Sequence, residues 1–170
     1  MNGLGASPAI TQLDSLNEIQ GISQKLKISH TSITSLAGLS ALVSLGDTLE
    51  IEYNFLQTSI GLNNLNSLGT VIINKLPALI SIAGLSNNID SIGGVLIDST
   101  SLTSLNGLGS VVFMDGYLEI RYSPIVNLGD LTNLTAINGY LRLENLPSLG
   151  SIGLNNLESV FGFLFSGLNN

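Results

Sequence analysis

The chain has no cysteine and no tryptophan, four prolines, and only 10% charged residues among its 170. Without cysteine there are no disulfides, no thiolate metal sites and no cysteine nucleophiles. Scarce Glu, Lys, Arg and Ala argue against amphipathic helices, which are built from those residues. Five basic residues stand against twelve acidic ones, for a net charge of −7. That sign repels phosphate backbones, so nucleic acid is not an expected partner. Long apolar runs are absent too. Apolar residues reach 44%, yet Ser, Asn, Gly or a charge intervenes every few positions. No stretch approaches the roughly 18–20 residues that cross a bilayer, so no membrane span is expected. The opening Met1-Asn2-Gly3-Leu4-Gly5 lacks the basic and apolar regions of a secretory leader, and no signal peptide is expected in it.

What is abundant is repetition. Glycine recurs every 23 residues at Gly38, Gly61, Gly84 and Gly107 and again at Gly153, with Asp130 in the place between. A second series runs Gly46, Gly69, Gly93, Gly116, Gly139 and Gly162, with one step of 24. Self-similarity at this period marks a solenoid, in which each coil stacks on its neighbours. Within a coil the apolar positions recur every third residue and then alternate. Examples are Ile33, Leu36, Leu39, Leu42, Leu45, Leu49 and Ile51, then Leu102, Leu105, Leu108, Val111, Met114, Leu118 and Ile120. The coil beginning near Leu56 carries small slips around Val71 to Ile73, and the one from Leu79 an extra residue near Ile89.

The alternation of Leu49 and Ile51 with Glu50 and Glu52 predicts a strand with one buried face. Successive coils run the same way, so these strands predict a parallel ladder. A three-residue step is too regular for an amphipathic helix and suits turns that aim one side chain inward each time. Glycine is expected to supply backbone freedom at the corners. The prediction is a mainly β chain, a right-handed parallel β-helix or leucine-rich solenoid with coils of about 23 residues. It forms one domain: residues 1–9 as an N-terminal cap or loose end, 10–157 as six coils, and 158–170 as a C-terminal cap.

The strings Leu45-Gly46-Asp47-Thr48-Leu49-Glu50-Ile51 and Ser101-Leu102-Thr103-Ser104-Leu105-Asn106-Gly107-Leu108 resemble the receptor L-domain family. They are also similar to repeats of fungal GPI-anchored cell-wall glycoproteins and of bacterial surface proteins. The resemblance covers roughly residues 10–165. It implies a compact right-handed β-helix and an extracellular or cell-surface setting, and leaves the ligand open. Two features depart from related patterns. The asparagine that follows each strand in horseshoe-shaped leucine-rich repeats is present at Asn54, whereas Thr31, Thr100 and Ser123 hold the matching positions. The disulfides that flank animal receptor L domains are missing.

Unusual side chains gather on one strand and its exit. All five basic residues, Lys25, Lys27, Lys75, Arg121 and Arg142, lie there, with Glu50, Glu52, Asp98, Glu119, Glu144, His30, Tyr53 and Tyr122. Two readings stand for this wall. It is a surface that binds a protein or a glycan. Equally, stacking at the repeat offset sets Lys27 over Glu50, Glu119 over Arg142 and Arg121 over Glu144, pairs that fix register. Catalysis fits poorly. A carbohydrate-active β-helix needs carboxylates in a groove, and coils of nearly equal length leave no loops to wall one. No catalytic residue, metal ligand set or cofactor is expected. The hydroxyl column Ser35, Thr58, Ser81 and Ser104 is expected to bond its own turns. Asn133-Leu134-Thr135 is a glycosylation sequon.

The tail, Val160-Phe161-Gly162-Phe163-Leu164-Phe165, puts Phe165 at the place of Arg142 and Glu119 when counted by the repeat. Phe161, Phe163 and Phe165 form either a hydrophobic cap over the last coil or an end interface that builds a dimer or filament.

Overall fold

A computed structural model describes residues 10–55, 60–85 and 88–168. Residues 1–9, Leu56 and Thr58 lie outside the described residues. The chain is a parallel β-solenoid of about six turns, with coils of about 23 residues. Its strands are β1 (Gly21–Ile22), β2 (Leu26–Ser29), β3 (Ser44–Glu52), β4 (Ser67–Leu76), β5 (Ser91–Ile92), β6 (Gly94–Thr100), β7 (Phe113–Met114), β8 (Leu118–Arg121), β9 (Ala136–Glu144) and β10 (Ser159–Ser166). All paired strands run parallel.

One wall is the ladder β2-β3-β4-β6-β8-β9-β10. Its inward columns begin Leu26, Leu49, Val71, Val95 and Ile28, Ile51, Ile73, Ile97. Leu49 and Ile51 are fully buried, as period-two patterning requires. A second, shorter ladder lies upstream of the glycine corner, where Ile22 pairs with Leu45 and Leu45 with Leu68. The long strands turn this corner through a register shift, between Leu45 and Thr48 in β3 and between Val160 and Gly162 in β10.

The three-residue step has a direct cause. At many of these positions the apolar N–H donates to the carbonyl of the apolar residue three before it: Leu39 to Leu36 at 2.8 Å, Leu42 to Leu39 at 3.0 Å, Leu131 to Leu128 at 3.0 Å. Bonds of this span eclipse residues i and i+3, so every third side chain points the same way, into the core. Two such stretches, Asp14–Leu16 and Ala37–Leu39, are short 3-10 helices.

The glycine columns correct the expectation of backbone freedom. At Gly46 and Gly107 the backbone is ordinary, but a Cβ would run into the carbonyls of Ser23 and Ile82 on the preceding coil. Close coil-to-coil approach excludes a side chain there. Gly61 and Gly153 do need the left-handed region, each with φ +76°.

The tail is also corrected. Residues 159–166 do not fold over the last coil; they continue the ladder as β10. The register shift at Val160/Gly162 moves everything after it by one place. Phe163 therefore pairs with Leu141 and Phe165 with Leu143, both inward columns, while Leu164 takes the place beside Arg142. Counting by the repeat missed the bulge. Phe161 leaves the columns and meets the outward Tyr140 edge-on, with centroids 5.2 Å apart.

Candidate functional site

The outer wall of the main ladder carries two columns. One runs Lys27, Glu50, Ile72, Leu96, Glu119, Arg142 and the other Ser29, Glu52, Asn74, Asp98, Arg121, Glu144. The structure thus brings the predicted residues onto one wall but splits their charges into two clusters, with Ile72, Leu96 and Asn74 between.

In the first cluster Lys27 Nζ donates to Glu50 Oε1 at 2.6 Å and to Glu52 Oε1 at 2.7 Å. Lys25 Nζ donates to Glu50 Oε2 at 2.7 Å. The Lys25 ammonium, and then that of Lys27, holds the Glu50 carboxyl below its ordinary value. In return Glu50, with Glu52, pushes Lys27 up to about 12. In the second cluster Arg142 lies 3.1 Å from Glu119 and 2.7 Å from Glu144. Arg121 stands level with Glu144 in the ladder, yet its Nη2 reaches back to Asp98 at 2.7 Å. The expected Arg121–Glu144 pair is replaced because Arg142 already occupies Glu144. Arg121 Nε is 3.2 Å from Glu119 but is not aligned for a hydrogen bond, so that contact is coulombic only.

The wall and its exit hold five cations and five carboxylates. The excess of seven carboxylates therefore lies elsewhere, at Asp14, Glu18, Asp47, Asp90, Asp115, Asp130 and Glu158.

The strand exit is the less expected feature. His30, Tyr53, Lys75, Ser99, Tyr122 and Asn145 follow one another at this corner, all left-handed, with φ between 48° and 55°. For residues other than glycine this conformation costs roughly 1–2 kcal/mol each. Backbone bonds to the next coil hold it: Tyr53 N–H to Asn74 O at 3.1 Å, Tyr122 N–H to Glu144 O at 3.1 Å, Asn145 N–H to Ser166 O at 3.0 Å. The first three side chains stack outside. His30 lies on Tyr53 with centroids 4.4 Å apart and planes 17° apart. Lys75 Nζ sits 4.7 Å from the same ring and donates to the Tyr53 hydroxyl at 2.8 Å, which raises the lysine pKa. Tyr122 donates to Glu144 at 3.3 Å. Phe55, two residues past the corner, is a further exposed aromatic at 62%. Periodicity did not single it out, because it belongs to no repeating column.

Beneath the corner, a polar pair seals the turn twice. Asn54 Oδ1 accepts from the Thr31 N–H and hydroxyl, and its Nδ2 donates to the carbonyls of Ile28 and Glu52. Thr100 and Ser123 repeat the arrangement with hydroxyls 2.9 Å apart. An asparagine series absent from the strand exit exists on another side. Asn64, Asn133 and Asn156 each donate to the carbonyl 24 residues earlier, at 2.6–2.7 Å. The sequon asparagine is exposed and bonded in this way. Ser35 and Ser81 accept from the N–H two residues on, as their turn role requires.

Among the described residues, no three His, Cys, Asp or Glu side chains are placed to hold a metal ion. Nor, among the described residues, is any helix long and apolar enough to cross a membrane. Compared with family models, curated proteins and solved structures, the chain matches none.

Proposed function

We propose that the protein is a non-enzymatic recognition module of the cell surface or extracellular space, related to receptor L domains. It binds a protein or glycan through the strand wall and the adjoining aromatic corner. The observation that carries this reading is the stack of His30, Tyr53 and Lys75. Three exposed side chains are fixed on a rigid solenoid at backbone positions that cost free energy, and the exposed Phe55 lies two residues past Tyr53. Preordered aromatic and cationic groups lose little entropy on binding. Within each charge cluster flanking Ile72 and Leu96 the cations and carboxylates already pair, so the clusters frame the contact rather than drive it.

A glycan array and a panel of defined surface proteins test this. Tyr53→Ala with Phe55→Ser is expected to weaken binding of any hit at least tenfold while the β-type circular dichroism persists. Arg121→Glu with Arg142→Glu tests the wall in the same way. Unchanged affinity in both folded variants rejects this surface. No ligand in either screen rejects recognition as the function.

A further inference from the structure

Among the described residues, the first coil leaves Ile10 and Leu16 exposed although Ile28 is buried, the last leaves Phe163 and Phe165 exposed, and the two ends differ in shape. At the N-terminal end Ile10 is 66% exposed and Leu16 41%. They border a hollow of about 340 Å³ whose lining includes Leu13, Leu26, Ile28 and Leu39. At the C-terminal end Phe163 and Phe165 project, 56% and 44% exposed. The ladder makes these the same two columns: Leu26 leads through Leu141 to Phe163, and Ile28 through Leu143 to Phe165. Among the described residues, β2 pairs only with β3 and β10 only with β9, so each end also presents a free strand edge.

We propose that these ends are the two halves of one interface between copies of this chain. The C-terminal end of one copy stacks on the N-terminal end of the next. Its β10 adds in parallel to the edge of β2, and Phe163 and Phe165 fill the hollow over Leu26 and Ile28.

Three observations select this occupant. The ladder continues in parallel only if the added strand has the same sense, and a second copy offers that sense only from its opposite end. Two like ends would meet antiparallel, phenylalanine against phenylalanine, with both hollows unfilled. Charge agrees as well. From Ile10 to Thr31 the coil carries Asp14, Glu18, Lys25 and Lys27, which cancel, and from Leu146 to Leu168 there is only Glu158. Most of the net negative charge sits between the ends, where it opposes side-by-side association and leaves end-on approach nearly free of repulsion. The contact is heterologous, so it propagates into a filament unless rotation closes a ring.

Sedimentation over a concentration series tests the idea with two blocked variants. Phe163→Glu with Phe165→Glu blocks one end, and Ile10→Glu with Leu16→Glu the other. Wild type is expected to grow in steps of its 17.8 kDa mass. Each blocked variant is expected to stay monomeric alone, and an equimolar mixture to give a 1:1 dimer that grows no further. Should the phenylalanine pair fail to fold, Phe165→Ser at its half-exposed site serves that arm. A monomeric wild type at every concentration overturns the proposal. So does a wild-type dimer that does not grow, a blocked variant that still assembles, or a mixture that stays monomeric. Non-specific sticking of apolar ends would not produce the stoichiometric mixture.

Discussion

Asn54 Oδ1 accepts two hydrogen bonds from Thr31 on the preceding coil, at 2.9 Å from its N–H and 2.7 Å from its hydroxyl. The Asn54 side chain thereby ties together the turns of two coils at a place 2% exposed. The burial of an amide is tolerable only because all its groups are used.

Asn54→Ala is therefore expected to strand the Thr31 N–H and the Ile28 carbonyl. The loss should be about 2–3 kcal/mol, the cost of leaving buried polar groups without partners. A shift of the urea midpoint at unchanged slope checks it. Thr31→Val, which removes one of the two donors to Asn54 Oδ1, is expected to cost less.

Glu50 gives the fold a pH dependence of definite sign. Its carboxyl is held below the ordinary 4.5 by Lys25 first and Lys27 second. A depressed carboxyl pKa means that the unfolded chain binds the proton more readily. The stabilisation is complete above the unfolded value and fades as pH falls through the folded one. Melting temperature should therefore decline below about pH 4.5. Glu50→Gln should flatten that limb while lowering Tm at neutral pH. An acid limb of equal steepness in the variant would locate the effect elsewhere.

Two glycines separate the effects of space and composition. Gly107→Ala drives a methyl into the Ile82 carbonyl of the coil before. Its expected cost is about 3 kcal/mol, since backbone cannot step aside as a side chain can. Gly150→Ala meets nothing within 4 Å and should change stability by no more than about 0.5 kcal/mol. Denaturation of the pair side by side is the measurement. Equal losses would refute close coil contact as the reason for the glycine column.

Much of the architecture was legible because one coil's demands are written out repeatedly. Leu49 and Ile51 had to face inward if Glu50 and Glu52 faced out, and they do. The three-residue step announced turns, and the i+3 bonds are those turns. Counting failed where the backbone, not the side-chain pattern, keeps the register. The shift between Val160 and Gly162 is invisible to a fixed period, and it moved Phe165 from the outer wall to an inward column. The glycines were legible as necessary but not for the right reason, because close approach depends on the neighbouring coil. At the candidate site, composition located the wall. It did not reveal that Arg121 turns to Asp98 rather than Glu144, a choice set by competition for one carboxylate. Nor did it flag the left-handed corner, since His30, Tyr53 and Lys75 carry no glycine signature.

That corner has a wider consequence. The chain's path requires an unusual backbone angle at one place in every turn, yet six different positions meet it with five kinds of side chain. Conformation and identity are thus uncoupled there. The result is a rail of attachment points about 4.8 Å apart, each open to exchange without rerouting the polypeptide, on which new chemical text can be written while the scaffold stays the same.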